Sequence, residues 1–467
     1  MIRRNPAIYE INTRVWLRRF DTNDKKASLK DVPFEYWRQL KEKGIDAVWL
    51  MGIWKTNKEI VKDYCFEDGL KKEYSKALKD WREEDVIGSP FAIDVYEVDP
   101  GIGVRDDILS LRLKLNDIGM KLILDFVPNH FSIGSRLLQE HPEIFLSAPH
   151  KFWEEDSHTF YHDEQRGLFF AHGRDPFFPA WQDTLQVNYF SDDARKFMIE
   201  QLYNISMLCD GVRCDMAMLM LNNVFANNWG QVLSQQNYNK PSIEFWKLAI
   251  DYIRDFRPDF IFIAEAYWDL EYELQQLGFD YTYDKKLTDR LKAANVMEIR
   301  AHLNADYNYQ THSLRFIENH DEERAFNIFG QNKSKAAAVI ISTIIGMRFY
   351  YDGQWEGKRI KLPVQLGREP EERRIEQIVD FYDKLLSITK EDVFHEGKWI
   401  AHYPIPAGPG DESFHNMLAW CWEYENERRL VVVNFSDSTS RCRLKLNLEE
   451  YKDEFILTDL LNNNVYS

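Results

Sequence analysis

Short apolar runs and amphipathic stretches alternate along most of this chain. Ala7 to Ile11 reads as a first strand. Phe34 to Lys43 reads as a helix closed by Gly44, and Ile45 to Met51 as a second strand. Val104 to Ile118 sets Ile108, Leu111, Leu115 and Ile118 on one helical face and ends at Gly119. Lys121 to Phe126 is the third strand. Met198, Leu202 and Ile205 mark a helix before the fourth strand, Gly211 to Asp215. A helix over Ile243 to Phe256 precedes the fifth, Asp259 to Glu265. Phe279 to Tyr283, Leu314 to Glu318 and Gly346 to Tyr351 bring the strands to eight, with a further helix over Lys335 to Ile341. Strand–helix repeats in that number predict an α/β fold, a closed (β/α)8 TIM barrel rather than an open sheet.

Two segments break the alternation. Phe131 to Phe190 is rich in Pro, His, Gly and aromatic residues, as in His141-Pro142-Glu143 and Gly173-Arg174-Asp175-Pro176. It is too long for a simple loop after the third strand and predicts a lobe inserted over the barrel mouth. Trp54 to Pro90 is a charged, partly helical excursion. Beyond residue 392 the pattern turns to strands. Met417 to Trp422 and Arg429 to Phe435 predict a hairpin of an antiparallel, β-sandwich-like domain, continued by Arg441 to Leu448 and Glu454 to Leu460. The predicted division is a barrel over 1–130 and 191–391, an inserted domain over 131–190 and a C-terminal β domain over 392–467.

Composition narrows the partners. With 467 residues, 44% hydrophobic and 29% charged, the chain is an ordinary globular protein. A formal net charge of −17 repels phosphate backbones and anionic bilayers, which excludes nucleic acid and membrane as expected partners and suits a neutral substrate. Aromatics make up 14%, including 14 Trp; most are expected in the core, and the rest are available to stack on sugar faces. Cys65, Cys209, Cys214, Cys421 and Cys442 are scattered without a CxxC pair, so neither a zinc site nor a disulfide framework is expected. Met1 to Pro6 leads into the first strand without an apolar signal core, and no run of about 18 apolar residues occurs, so a cytoplasmic location is the expectation.

The chemistry sits where the strands end. Leu122-Ile123-Leu124-Asp125-Phe126-Val127-Pro128-Asn129-His130, Gly211-Val212-Arg213-Cys214-Asp215, Ile261-Phe262-Ile263-Ala264-Glu265 and Phe316-Ile317-Glu318-Asn319-His320-Asp321 are each an apolar run finishing in acid or histidine. One strand-end acid alone serves equally well as a salt-bridge partner or a helix cap. Four in succession are how a parallel barrel gathers distant residues into one acidic pocket. Arg213 lies two residues before Asp215, on the same side of the pleat, where its guanidinium is expected to hold that carboxylate ionised and lower its pKa. Glu265 follows an apolar run that should raise its pKa, as a general acid/base needs. Two such carboxyl groups roughly 5 Å apart define the retaining glycosidase mechanism.

These four segments resemble the signature regions of the α-amylase superfamily, glycoside hydrolase family thirteen. Asp94-Val95-Tyr96-Glu97-Val98-Asp99-Pro100 with Gly103 resembles the stretch before that family's second barrel helix. Gln182 to Asn188 resembles a short motif late in its domain B, and the terminal sheet resembles its domain C. The resemblance implies Asp215 as a nucleophile forming a β-glycosyl ester, Glu265 as general acid/base, and Asp321 as the acid that binds sugar hydroxyls and stabilises the transition state. It implies His130 and His320 as hydroxyl ligands and Arg213 as the residue orienting Asp215. Asp125 is expected to support Arg213 and His130. Tyr96, Phe91, Tyr267 and Asn188 complete the substrate-binding set. Asn129 matches a calcium-ligating position, yet residues 131–190 hold no dense Asp cluster; no cofactor is expected to be required, and structural calcium is the one metal the resemblance admits.

Departures bear on the substrate. The family's second region often continues with Lys-His; here Asp215 is followed by Met216-Ala217-Met218-Leu219. The expectation is a less polar acceptor side, with Met218 and Leu219 favouring short α-linked glucose oligosaccharides or sugar transfer over long-glucan hydrolysis. Gly88-Ser89-Pro90-Phe91 offers Phe91 where the family often stacks a Tyr. Competing expectations are a sucrose- or disaccharide-active phosphorylase or isomerase, a non-catalytic sugar binder, which would lack one of the three acids, and a metal-dependent barrel hydrolase, which needs an HxH strand end absent here. Thr458 to Ser467 reads as a strand entering a turn, which leaves domain C either minimal or truncated.

Overall fold

In the computed structural model, which describes residues 2–446 and 456–466, eight parallel strands close into a barrel. They are β1 (Ala7–Asn12), β2 (Ala47–Met51), β3 (Lys121–Phe126), β4 (Gly211–Cys214), β5 (Ile261–Ala264), β6 (Tyr281–Tyr283), β7 (Ser313–Arg315) and β8 (Met347–Tyr351). Each pairs with its sequence neighbours, and β1 closes on β8 with Ala7 opposite Arg348. The strands read as continuous apolar runs because both of their faces are buried. Ala47, Trp49 and Met51 of β2 point into the barrel with Ile123, Ile263, Leu314 and Phe349. Val48 and Leu50 point outward against the helices with Leu122, Leu124 and Val212.

The helices follow their sequence signals closely: Phe34–Glu42, Arg105–Asp117, Asp192–Ser206 and Phe245–Phe256. Ser191 caps the third of these by accepting from the Ala194 N–H at 3.4 Å. The helix expected over Lys335 to Ile341 runs from Ala325 to Thr343, broken at Gly330, whose φ is +67°. The apolar signal marks only the half that packs on the barrel, where Ala337, Ala338, Ile340 and Ile341 are buried.

Between β2 and β3, Trp54–Thr56 pairs antiparallel with Ile93–Val98. The helices Val61–Tyr64 and Asp68–Ala77 enclose a separate small core of Val61, Cys65, Tyr74, Ala77, Leu78, Val86 and Leu366. After β3, His130–Ser132 pairs with Thr184–Gln186, and Phe160–Asp163 with Leu168–Ala171. These two ribbons and the short helices Leu137–Glu140 and His150–Glu155 form a lobe beside the barrel mouth. At the C-terminal end, Lys398–His402, Met417–Tyr424 and Glu427–Asn434 make a three-stranded antiparallel sheet, and Leu457–Thr458 pairs with Val465–Tyr466. Trp422 ties the sheet to the barrel by donating from Nε1 to Thr343 O at 2.6 Å. Of the strand expected over Arg441 to Leu448, the described part makes one bridge, Arg443 to Ile405; Asn447 and Leu448, like Glu454 and Phe455 of the last expected strand, lie outside the described residues. Among the described residues, no helix is long and apolar enough to cross a membrane.

Candidate active site

Register places the acids. In β4, Arg213 lies opposite Asp125 of β3 and Ile263 of β5. The Asp215 N–H donates to Phe126 O at 2.8 Å and the Glu265 N–H to Cys214 O at 3.0 Å, so both acids continue the ladder one residue past their strands. Met216 then turns the chain with φ +43° and ψ +46°, a left-handed conformation uncommon outside glycine. The turn lets its N–H donate to Glu265 Oε2 at 2.7 Å.

A single guanidinium joins the pair. Arg213 Nη1 lies 2.5 Å from Asp215 Oδ1 and Nη2 lies 2.7 Å from Glu265 Oε2. Its Nε donates to Tyr283 Oη at 3.2 Å, and Trp49 and Phe91 lie 5.1 and 5.5 Å from it. Arg213 is 1% exposed. It therefore holds the acids from beneath rather than facing the substrate space, and Glu265 is a partner the sequence did not suggest. Tyr267 Oη donates to Glu265 Oε1 at 2.8 Å.

Burial dominates the protonation of both acids. It lifts Glu265 to about 7 against the pull of Arg213, with Asp215 and Asp321 adding to the rise. Asp215 is raised too, by burial first, with Arg213 opposing and Asp321 and Asp125 reinforcing. The expectation that Arg213 would lower the Asp215 pKa is thus reversed: the cation is shared, and desolvation outweighs it. Asp125 reaches about 6, again through burial. Its carboxylate accepts from Trp49 Nε1 at 2.9 Å and from the Gly52 N–H at 2.6 Å, so it bonds neither Arg213 nor His130 as expected, and acts on Arg213 through its charge alone.

Asp321 belongs to a different chain of contacts. His320 Nε2 lies 2.8 Å from Asp321 Oδ2, and its Nδ1 lies 2.5 Å from Glu10 Oε1. Burial alone would lower the ring's pKa, but the two carboxylates outweigh it and hold His320 near 10. Protein surrounds Asp321, which works to raise it, but cationic His320 prevails and keeps it at about 2. Its side chain is nevertheless 46% exposed, because one side opens onto the cleft. His320, expected on a sugar hydroxyl, has both ring nitrogens occupied by carboxylates and is 2% exposed.

The cleft has a volume of about 840 Å³ and is lined by Asp215, Glu265, Asp321, His130, Phe91 and Tyr267 among others. Burial depresses the His130 pKa to about 4, so its ring is neutral at ordinary pH. Tyr96 and Asn188 stay outside the cleft lining, as Arg213 and His320 do. Tyr96 Oη is tied to the Val127 backbone, donating to O at 2.8 Å and accepting from N–H at 2.9 Å. Asn188 is fully buried, its Oδ1 accepting from the Phe190 N–H. Met218 and Leu219 do not face the acceptor side either. They lie in the buried 3-10 turn Ala217–Met220, at 0% and 2% exposure; only Met216 reaches the cleft. Sequence reasoning missed Glu10, Trp49 and Tyr283, and also Asp183, Phe178 and Trp181 on the lobe wall. A lone acid inside the apolar β1 was the available signal for Glu10.

Another hollow of about 900 Å³ opens beside Arg14 and Asp99. It contains none of the strand-end acids, and several of its cations are tied to carboxylates, as in Arg18–Asp21, Lys25–Asp31 and Arg368–Asp85. The barrel mouth is the site.

The surroundings of Asn129 do not fit calcium. Gln186 Nε2 donates to Asn129 Oδ1 and Asn129 O, both at 2.9 Å, and to Val187 O at 3.1 Å. An amide nitrogen thus stands among three oxygens that would otherwise face a cation. Among the described residues, no group of three or more His, Cys, Asp or Glu is placed to hold a metal ion.

Comparison with known proteins adds the following. The family model described as alpha amylase, catalytic domain, matches residues 34–380. Alpha-amylase 3 of Dictyoglomus thermophilum is 25% identical over 310 residues, covering 59% of this chain and 55% of that protein. The chain spans about half the length of the curated relatives it matches. The solved structure of the maltogenic alpha-amylase AmyB from Thermotoga neapolitana superposes with a TM-score of 0.69 at 20% identity, covering 99% of this chain and 93% of that one. An alpha-amylase from Geobacillus thermoleovorans complexed with acarbose gives 0.64 at 18% identity, covering 100% and 94%.

Proposed function

The chain belongs to the α-amylase family, and from that membership we propose that it is a retaining glycoside hydrolase acting on short α-linked glucose oligosaccharides. The observation carrying this reading is the guanidinium shared between Asp215 and Glu265. It holds the two carboxyl groups within reach of one guanidinium, as a pair acting together on one glycosidic bond requires.

Asp215 attacks the anomeric carbon while Glu265, protonated below about pH 7, gives its proton to the leaving oxygen. A β-glycosyl ester on Asp215 results. Glu265, now ionised, takes a proton from water, which attacks the ester and releases the α-anomer. Asp321, ionised and open to the cleft, accepts from hydroxyls of the reacting sugar, and neutral His130 hydrogen-bonds the same ring. Tyr267 and the Met216 N–H hold Glu265 while its charge changes.

Water rather than phosphate is the acceptor this cleft favours. Its two lysines are already paired, Lys285 with Asp289 and Glu322 and Lys286 with Asp269, so neither is free for a phosphate. The case for transfer weakens because Met218 and Leu219 are buried. Trp268, which lines the cleft and packs edge-on against Phe177 at 5.0 Å, is the aromatic this reading sets beside an acceptor glucose.

The test is incubation with maltotriose, maltose, sucrose and trehalose, with and without phosphate, following products by proton NMR. The product carrying the cleaved anomeric carbon is expected first as the α-anomer, while the other keeps the anomeric mixture of the substrate's reducing end. New β-anomer in excess of that mixture would refute retention, a sugar phosphate would indicate phosphorolysis, and longer oligomers would indicate transfer. Mass spectrometry of protein quenched with a slow fluorosugar should place the added hexose on Asp215.

A further inference from the structure

A carboxylate stands at each nitrogen of the His320 ring. An ionised carboxylate only accepts hydrogen bonds, and a neutral imidazole carries a single N–H. The 2.5 Å contact to Glu10 is a hydrogen bond and the 2.8 Å contact to Asp321 an ion pair; a proton on both ring nitrogens serves both contacts, whereas a neutral ring serves one. Glu10 and His320 are 0% and 2% exposed, so water does not replace Glu10 as the partner of Nδ1.

We infer that Glu10 is a positioning residue: it holds His320 as a doubly protonated, cationic ring, and through it fixes Asp321 as an ionised, oriented acceptor for the substrate. This rests on the assignment of Asp321 to the reacting sugar.

The surroundings isolate Glu10 in that role. The ring is walled by Trp49, edge-on at 5.6 Å, and Phe91 at 5.3 Å. Asp125 acts on the ring from β3 through its charge, but its oxygens are spent on Trp49 and Gly52. Arg213 from β4 is engaged by Asp215 and Glu265, and Tyr283 from β6 accepts from Arg213. Tyr351 from β8 faces Glu10 only electrostatically. The second oxygen of Glu10 has no hydrogen-bond partner among the described residues, so His320 is what that carboxylate binds. A carboxylate buried merely for packing would be costly with so little to satisfy it.

Histidine ring nitrogens report the proton directly. In protein labelled with 15N-histidine, with His320 assigned from H320N, the wild-type ring should remain imidazolium beyond about pH 8. In E10Q, which keeps shape but loses charge, the ring should titrate roughly one to three pH units lower, with E10D restoring part of the difference. A wild-type ring already neutral at about pH 7 overturns the inference, and this holds even if E10Q fails to fold. The pH profile of kcat/KM on maltotriose supplies the second readout. The wild-type basic limb should fall as one proton is lost, whereas in E10Q it should steepen, adding about a further tenfold loss per pH unit once the ring is neutral. A uniform drop with unchanged shape would make Glu10 structural only and overturn the inference. Should the wild type leave α-glucosides intact, the proposed function fails while the ring titration still judges Glu10.

Discussion

Glu265 is where protonation and catalysis meet most directly. Its carboxyl must be protonated to act first as an acid, and burial sets its titration at about 7. Activity should therefore decline as pH rises through neutrality. Asp215 must be ionised, and its raised pKa moves the acidic limb above the ordinary carboxylate range. The expected kcat/KM profile is a narrow bell on the acidic side of neutral. Glu265→Gln should remove the basic limb and cost about 10²–10⁴-fold on maltotriose, but far less on an α-glucosyl fluoride, whose leaving group needs no proton; equal losses on both would remove Glu265 from the acid role. The three acids were legible because each closes a local apolar run. Glu10 was not, since its partner lies 310 positions away and the two meet only when the barrel closes. The direction of the Asp215 shift was misread for a related cause: a sequence displays the neighbouring arginine, but not the desolvation or the second claimant on its charge.

Among the elements, β4 leaves little room for change. A methyl group added at Gly211 would meet Ile261 O at 2.5 Å and Ile123 Cδ1 at 2.8 Å, both in neighbouring strands. Gly211→Ala should cost about 1–3 kcal/mol, seen as a lowered midpoint in urea, and should reduce kcat by shifting Arg213; unchanged stability would show that β4 is free to move. The lobe depends on Gln186 in a similar way. Gln186→Ala leaves the Asn129 and Val187 oxygens without their donor and should cost about 1–3 kcal/mol. Conversely, EDTA should leave the wild-type thermal midpoint unchanged, and a fall restored by added calcium would contradict the fit at Asn129. Strand and helix alternation was readable because its periods are local. The turn Ala217–Met220 was not, because four apolar-leaning residues after a catalytic acid fit a cleft wall and a core equally well, and only the left-handed Met216 decides which way they wind.

For the whole molecule, charge and fold make separate statements. A net charge of −17 repels anions but exerts no long-range pull on a neutral oligosaccharide. kcat/KM on maltotriose should change by less than about twofold between dilute buffer and about 0.5 M salt, where screening shortens to a few ångströms. A steep salt dependence would point to a charged substrate instead. The alternating pattern revealed the barrel, the lobe and the terminal sheet, while the small core joining Tyr74 and Val86 to Leu366 escaped it, because that core unites segments from distant parts of the chain. The burial of Ala217 to Leu219 also bears on how such an enzyme diversifies. The segment after Asp215 is committed to holding the barrel together, whereas Phe177, Phe178 and Trp268 sit on loops that carry no barrel ladder. Selection, or a library, can rewrite those loops for a new sugar while the inherited chemistry beneath them stays intact.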